Sequence, residues 1–108
     1  MASGNPWMKA VTLTLANTNY NLYSLMQGIE TNAPERCHKL QLQADPSATS
    51  SSQTRIGNAD LSDTNYGVLL FATQAFGIES QTNSVVCSEF WLRCNLAGKT
   101  VSITSHVL

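Results

Sequence analysis

The side chains that carry most catalytic and metal-binding chemistry are scarce in this chain. It has two histidines, His38 and His106, and neither stands in an H-x-H, an H-E-x-x-H or a Cys/His spacing of the kind that holds zinc. A zinc or copper site would need both histidines and a cysteine to converge from three distant strands. We expect His38 on the core side of its strand and His106 facing solvent. The sequence predicts no catalytic residue, no metal and no cofactor.

One short segment, residues 57–65, places several oxygen ligands close together. Asn58, Asp60, Ser62 and Asp63 supply side-chain oxygens of the kind that Ca²⁺ binds. The segment lacks the terminal bidentate Glu of an EF-hand loop, and Asx turns account for the same residues without an ion. Turn formation is the preferred interpretation, and a Ca²⁺ site is the alternative.

The three cysteines are an odd set, Cys37, Cys87 and Cys94, with no C-x-x-C spacing. Disulfide frameworks favour an even count in a secreted chain, and the N-terminus lacks the basic and apolar regions of a secretory signal. We therefore expect synthesis in a cytoplasm and three free thiols, with one disulfide among them as the alternative. Cys87 and Cys94 have no local His and electropositive setting of the kind that a catalytic thiol needs, so core thiols are the preferred interpretation for both.

Trp91 and Arg93 are the first candidates for a protein-binding surface. Strand alternation over residues 89–95 puts them on one face and the apolar residues at the even positions on the other. If the even face is the core, an exposed Trp stands beside an Arg, which is typical of an interface hot spot. The alternative is that another part of the chain covers Trp91.

Trp7 is a third candidate, because residues 1–7 contain Gly4 and Pro6 and are predicted to form an extended N-terminal arm. An arm that carries one aromatic residue is suited to lie across a neighbouring subunit. The alternative is that Trp7 folds back against the end of its own domain. Residues 8–108 are predicted to form a single domain.

The elements that position these residues are short strands with turn signals between them. Apolar residues at i, i+3, i+4 and i+7 predict one helix over residues 21–30, capped by Asn19 or Asn21. Residues 45–53 are predicted to be a Ser-rich hairpin loop, and the last two strands a β-hairpin. The predicted strands cover residues 8–16, 36–44, 54–58, 68–71, 75–79, 85–95 and 99–107. Seven or eight such strands indicate an all-β fold, an antiparallel β-sandwich or a jelly-roll-like barrel.

The composition favours association with other proteins. Only 12% of residues are charged, and Ser, Thr, Asn and Gln make up 38 of the 108. Such a surface costs less to desolvate than one of Lys and Glu, although a Thr-rich monomer is the alternative, since Thr favours strands. The net charge of −1 without a basic stripe argues against nucleic acid as a partner, and no apolar run reaches the length that spans a bilayer.

Three segments together resemble small structural proteins encoded among the head genes of tailed bacteriophages, including cyanophages. These segments are LTLANTNYNLYSLMQ (13–27), CHKLQLQADPS (37–47) and RIGNADLSDTNYGVLL (55–70). The resemblance covers roughly residues 10–75, and the last third of the chain fits it only loosely. It implies a capsid cement or decoration protein on the virion surface. Its partner would be the major capsid protein, and the chain would form a dimer or trimer.

Two other functions stay open. One is a tail, neck or fibre-associated module that binds sugars on aromatic side chains such as Trp91, Tyr66 or Tyr20. The other is a small cupin-type enzyme, which would need the clustered histidines and carboxylates that this chain lacks.

Overall fold

The computed structural model describes residues 6–45 and 52–108, and its regular structure is almost entirely strand. One α-helix and one 3₁₀ turn, Cys87–Glu89, interrupt the strands. The elements in chain order are β1 (Trp7–Leu13), β2 (Tyr20–Asn21), α1 (Leu22–Ile29), β3 (Arg36–Cys37), β4 (Lys39–Ala44), β5 (Thr54–Gly57), β6 (Val68–Leu70), β7 (Ala75–Glu79), β8 (Val85–Val86), β9 (Trp91–Cys94) and β10 (Lys99–His106).

The ten strands of the described chain form one long antiparallel ribbon, in which the first strand pairs with the last, the second with the last but one, and so on inward. β1 pairs with β10, β2 with β9, β3 with β8, β4 with β7 and β5 with β6, all antiparallel. Two further pairings, β10 with β4 and β5 with β9, join eight of the strands into two four-stranded sheets, and β3 and β8 form a separate two-stranded sheet. We call β1-β10-β4-β7 the front sheet and β2-β9-β5-β6 the back sheet. Rolling one long antiparallel ribbon into two packed sheets gives a jelly roll, and the all-β prediction is confirmed.

The core lies between the two sheets, and strand alternation builds it. In β10, Val101, Ile103 and Ser105 are buried, and in β4 Leu40 and Leu42 are buried, while the residues between them are less buried or exposed. Each fully buried Leu or Ile contributes about 1.5–3 kcal/mol to folding. The alternation that predicted the strands is therefore also the pattern that fills the core.

The helix lies one residue inside each of its predicted limits. Asn21 caps it, since its Oδ1 accepts a hydrogen bond from the Ser24 backbone N–H at 3.1 Å. Leu22 and Met26 are fully buried on the face that packs against the core. No helix in the described ranges is long and apolar enough to cross a membrane.

The predicted final hairpin is wrong. β9 belongs to the back sheet and β10 to the front sheet, so residues 95–98 connect the two sheets. The predicted long strand over residues 85–95 is also divided by the 3₁₀ turn at Cys87–Glu89. Val85 and Cys87 are buried at odd positions, whereas Leu92 and Cys94 are buried at even positions. One continuous strand cannot bury both sets, because successive side chains point to opposite faces.

Two other segments differ from the predictions. β4 and β5 lie in different sheets, so residues 45–53 do not close a hairpin, and residues 46–51 lie outside the described residues. At the N-terminus, the first strand begins at Trp7 and ends at Leu13, not at residues 8 and 16. Most of the predicted arm, residues 1–5, also lies outside the described residues.

Candidate protein-binding surface

The outer face of the back sheet carries Trp91 and Arg93, as the alternation predicts. Leu92 and Cys94 are fully buried beneath them, so the even positions of β9 form the core side. Both Trp91 and Arg93 are only partly exposed, because other parts of the chain reach this face.

The segment that reaches the back face is residues 58–67, which we call the back loop. Its anchor is Leu61, which is 3% exposed. The Leu61 carbonyl accepts a hydrogen bond from Asn19 Nδ2 at 2.7 Å. A Cβ at Gly57 would lie 3.1 Å from Leu61 Cδ1, so the glycine in β5 leaves the space that the leucine fills. A strand glycine often marks such a close approach.

Charge pairing also holds the back loop to the sheet. Arg93 and Arg55 stand directly opposite each other on β9 and β5, and like charges in that position are destabilising. Arg93 Nε donates to Asp63 Oδ1 at 2.9 Å, and Arg93 Nη1 donates to Asn19 Oδ1 at 3.2 Å. The Arg55 guanidinium lies 5.1 Å from the centre of the Tyr66 ring. The back loop thus supplies the Asp63 carboxylate to Arg93 and the face of the Tyr66 ring to Arg55.

The predicted oxygen cluster is used in the turns of this loop. Asn58 Oδ1 accepts from the Asp60 backbone N–H at 2.9 Å, as in an Asx turn. Ser62 Oγ accepts from the Asn65 backbone N–H at 3.0 Å, and Asp63 is paired with Arg93. Among the described residues, no group of three His, Cys, Asp or Glu side chains is arranged to hold a metal ion.

Trp91 lines an open groove of about 660 Å³ at one end of the sandwich. Phe76 from the front sheet and Phe90 line the same groove, with their ring centres 6.5 Å apart. The polar residues of the groove are Asn58, Ser88 and Glu89. The arrangement suits a ligand with an apolar face. Of the other two aromatic candidates, Tyr66 is engaged by Arg55 and the Tyr20 hydroxyl accepts from the Leu15 backbone N–H.

Trp7 lies within the fold. It is the first residue of β1, it stands opposite Ser105 of β10, and it is 9% exposed. This is the position expected if Trp7 folds back against its own domain. Its indole Nε1 is buried without a hydrogen-bond partner among the described residues.

The two histidines lie against each other, and the three cysteines are buried. His38 separates β3 from β4 and is half-buried, so it does not point into the core as expected. Its ring meets His106 edge to face, with the ring centres 6.3 Å apart. Cys37, Cys87 and Cys94 are free and buried. Hydrogen bonding between the thiols of Cys37 and Cys87 lowers the pKa of Cys37 and raises that of Cys87, and burial adds to the rise for Cys87.

The outer face of the front sheet contrasts with the back face, since no loop of the described chain covers it. Except at one end, its exposed and half-exposed side chains are uncharged over four adjacent strands. We call this set the front face: Met8, Ala10, Thr12, Gln41, Gln43, Ala75, Gly77, Thr100, Ser102 and Thr104. The charged residues at outward positions of these strands, Lys39 and Glu79, stand opposite each other at one end.

The front face was not predicted from the sequence. The signal for it is the run of Thr, Ser, Gln and Ala at the outward positions of β1, β4 and β10. Recognising it requires the order of the strands, because the face is assembled from four segments that are far apart in the chain. Interface cores are depleted in charged residues, and the front face has that character.

No protein-family model, curated protein or solved structure matches the chain. The likeness to phage head proteins therefore stays a prediction from its three motifs.

Proposed function

We propose that this protein is a non-enzymatic structural component of a virus particle. In this role it is a capsid cement or decoration protein that binds across major capsid protein subunits through its front face. The observation that carries the proposal is the front face itself, a four-stranded surface that no segment of the described residues covers and that has no charge at its centre. The composition and the motif resemblance support the same role.

Binding through such a face has a low desolvation cost. Burying an unpaired Lys or Glu costs several kcal/mol, whereas a hydroxyl or amide costs about 1–3 kcal/mol and recovers much of it with one hydrogen bond. Ala10, Ala75 and Gly77 leave room for a partner to approach the sheet closely. Many copies on a shell multiply a modest contact at each site.

The jelly roll supports this proposal only by analogy. Viral capsid proteins use the fold, but so do lectins and cupins, and a fold does not define a function. The proposed structural role therefore depends on the front face.

Particle composition tests the proposal. The protein should co-purify with intact virions in a copy number that matches a symmetry site of the capsid. The variant Ser102→Glu, changed at the centre of the front face, should be absent from purified virions. Absence of the wild-type protein from purified virions would contradict the proposal.

A carbohydrate-binding module of a tail, neck or fibre is the second candidate, and the aromatic groove favours it. Trp91 and Phe90 offer ring faces on which a sugar stacks, and Asn58, Ser88 and Glu89 offer hydrogen bonds to its hydroxyls. A glycan array would identify such a ligand. Binding that is lost in Trp91→Ala and retained in Ser102→Glu would favour the carbohydrate function over the structural one.

A further inference from the structure

The outer edge of β7 is an open strand edge. β7 is the outermost strand on one side of the front sheet. In the described chain it pairs with β4. The Ser80 N–H donates to the His38 carbonyl, and the Ala44 N–H donates to the Gln74 carbonyl. In this antiparallel register the even-numbered residues of β7 therefore bond to β4. The backbone N–H and C=O groups of Ala75, Gly77 and Glu79 point away from the sheet.

This edge lacks the features that usually prevent edge-to-edge pairing. It has no Pro, no Lys and no bulge, and Glu79 is its one charged residue. Ile78, at the same edge, is 39% exposed although it stands opposite the fully buried Leu40. The edge therefore offers both unpaired backbone groups and an incompletely covered apolar side chain.

We propose that β7 pairs antiparallel with β7 of a second copy of this chain, with Gly77 opposite Gly77 on a twofold axis. This register forms three hydrogen-bonded residue pairs, Gly77 with its counterpart and Ala75 with Glu79 twice. It also places Phe76 of each copy opposite Ile78 of the other, which covers the exposed isoleucine. The two front sheets become one eight-stranded sheet.

The distribution of charge supports this register. Glu79 meets Ala75 of the second copy, so the two glutamates stay apart, and each remains opposite Lys39 of its own chain. Pairing centred on Glu79 would instead place the two carboxylates opposite each other, which is unfavourable. Both Gly77 residues lie on the outer face without a side chain, so the two strands meet there without obstruction.

This inference gives a structure to the dimer that the phage resemblance implies, and only the role of that dimer on a virion rests on the proposed function. The pairing itself needs only the isolated chain. A dimer would present two copies of the front face side by side and bind a shell bivalently.

The test measures self-association of the purified full chain. Sedimentation equilibrium of the wild type should show a monomer–dimer equilibrium. Gly77→Glu should raise its dissociation constant by on the order of a hundredfold, because two carboxylates then face each other. A Cβ at Gly77 would lie 3.8 Å from the Leu40 carbonyl oxygen, an ordinary contact, so the monomer should accommodate the change. Gln41→Glu is the matched control, since Gln41 stands next to Gly77 on the same face but one strand inside the edge.

A cysteine variant tests the register independently of the charge. Gly77→Cys should form a covalent dimer when a thiol oxidant such as diamide is added, because hydrogen-bonded antiparallel pairs have Cα atoms about 5.5 Å apart. Neither the wild type, whose three cysteines are buried, nor Gln41→Cys should form a covalent dimer under the same conditions. A wild-type chain that stays monomeric, or a dimer that Gly77→Glu does not weaken and Gly77→Cys does not crosslink, would overturn the inference. A dimer that forms as proposed in a chain absent from virions would keep the pairing and refute the virion role.

Discussion

The outer faces of the two sheets are both formed by antiparallel strands, but they differ in whether the rest of the described chain covers them. The back face carries two arginines in register and a tryptophan, and the back loop folds over it with Leu61 and Asp63. The front face carries hydroxyls, amides and small side chains, and no described segment of the chain covers it. The arginines of the back face are thus bound by side chains of their own chain. The front face, which has uncharged side chains, is not covered by any described segment.

This difference changes the interpretation of a Trp beside an Arg. Such a pair is typical of a hot spot only where the two side chains are free to meet a partner. Here the Arg93 guanidinium is bound to Asp63 and Asn19, and the arginine side chain is 18% exposed. Of the predicted anchors Trp7, Trp91 and Arg93, Trp91 lines the groove of about 660 Å³, and the mostly buried Trp7 lines a smaller one of about 390 Å³.

The largest expected effect comes from a charge placed on the front face. Ser102→Glu should weaken binding to the capsid protein by on the order of a hundredfold or more, because the interface would bury an unpaired carboxylate. Thr64→Glu adds the same charge to the exposed back loop and should leave the affinity within about threefold. Titration of empty shells with each purified variant gives both values. Equal losses of affinity in the two variants would contradict the claim that the front face, and not the back loop, binds the shell.

Removing the anchor of the back loop should give the next largest effect, on stability. Leu61→Ala should lower the free energy of unfolding by about 2–4 kcal/mol, since it empties a buried site between the loop and β5. Thr104→Ala on the front face should change it by less than about 0.5 kcal/mol. Urea unfolding followed by circular dichroism measures both changes. A loss of similar size at Thr104 would indicate that the front face also supports the fold.

The smallest effect is expected at the ion pair. Asp63→Asn should lower the free energy of unfolding by less than about 1 kcal/mol, because the Asp63 side chain is 57% exposed and solvent screens the pair. High salt should reduce this difference further. Asp60→Asn, a carboxylate of the same loop that forms no ion pair among the described residues, is the control. A loss well above 1 kcal/mol that persists in high salt would show that the pair holds the loop more firmly than its exposure suggests.

Much of the fold could be predicted because it depends on local patterns. Strand and turn signals located β4, β7 and β10 within about three residues, and the i, i+3, i+4 pattern located α1 within one residue. The sequence left Asn19 and Asn21 as alternative caps, and the structure shows that Asn21 caps the helix. Each of these signals lies within a few consecutive residues.

The remaining features depend on contacts between distant segments. Residues 85–94 are apolar at both odd and even positions, and the sequence alone does not show that a 3₁₀ turn at Cys87–Glu89 separates the two sets. The short loop after Cys94 has the length of a hairpin turn, yet it crosses between the sheets. The exposure of Trp91 and Arg93 depended on the back loop, whose fold is set by Leu61 and Gly57 rather than by a pattern in β9.

A cryo-electron microscopy map of the intact particle would test the central claim most directly, because it shows which face touches the shell. The account predicts density for this protein on the capsid surface, with Ala10, Ser102 and Gln43 against the major capsid protein and the back loop facing solvent. Contacts made through the back loop or the Trp91 groove, with the front face open to solvent, would contradict it.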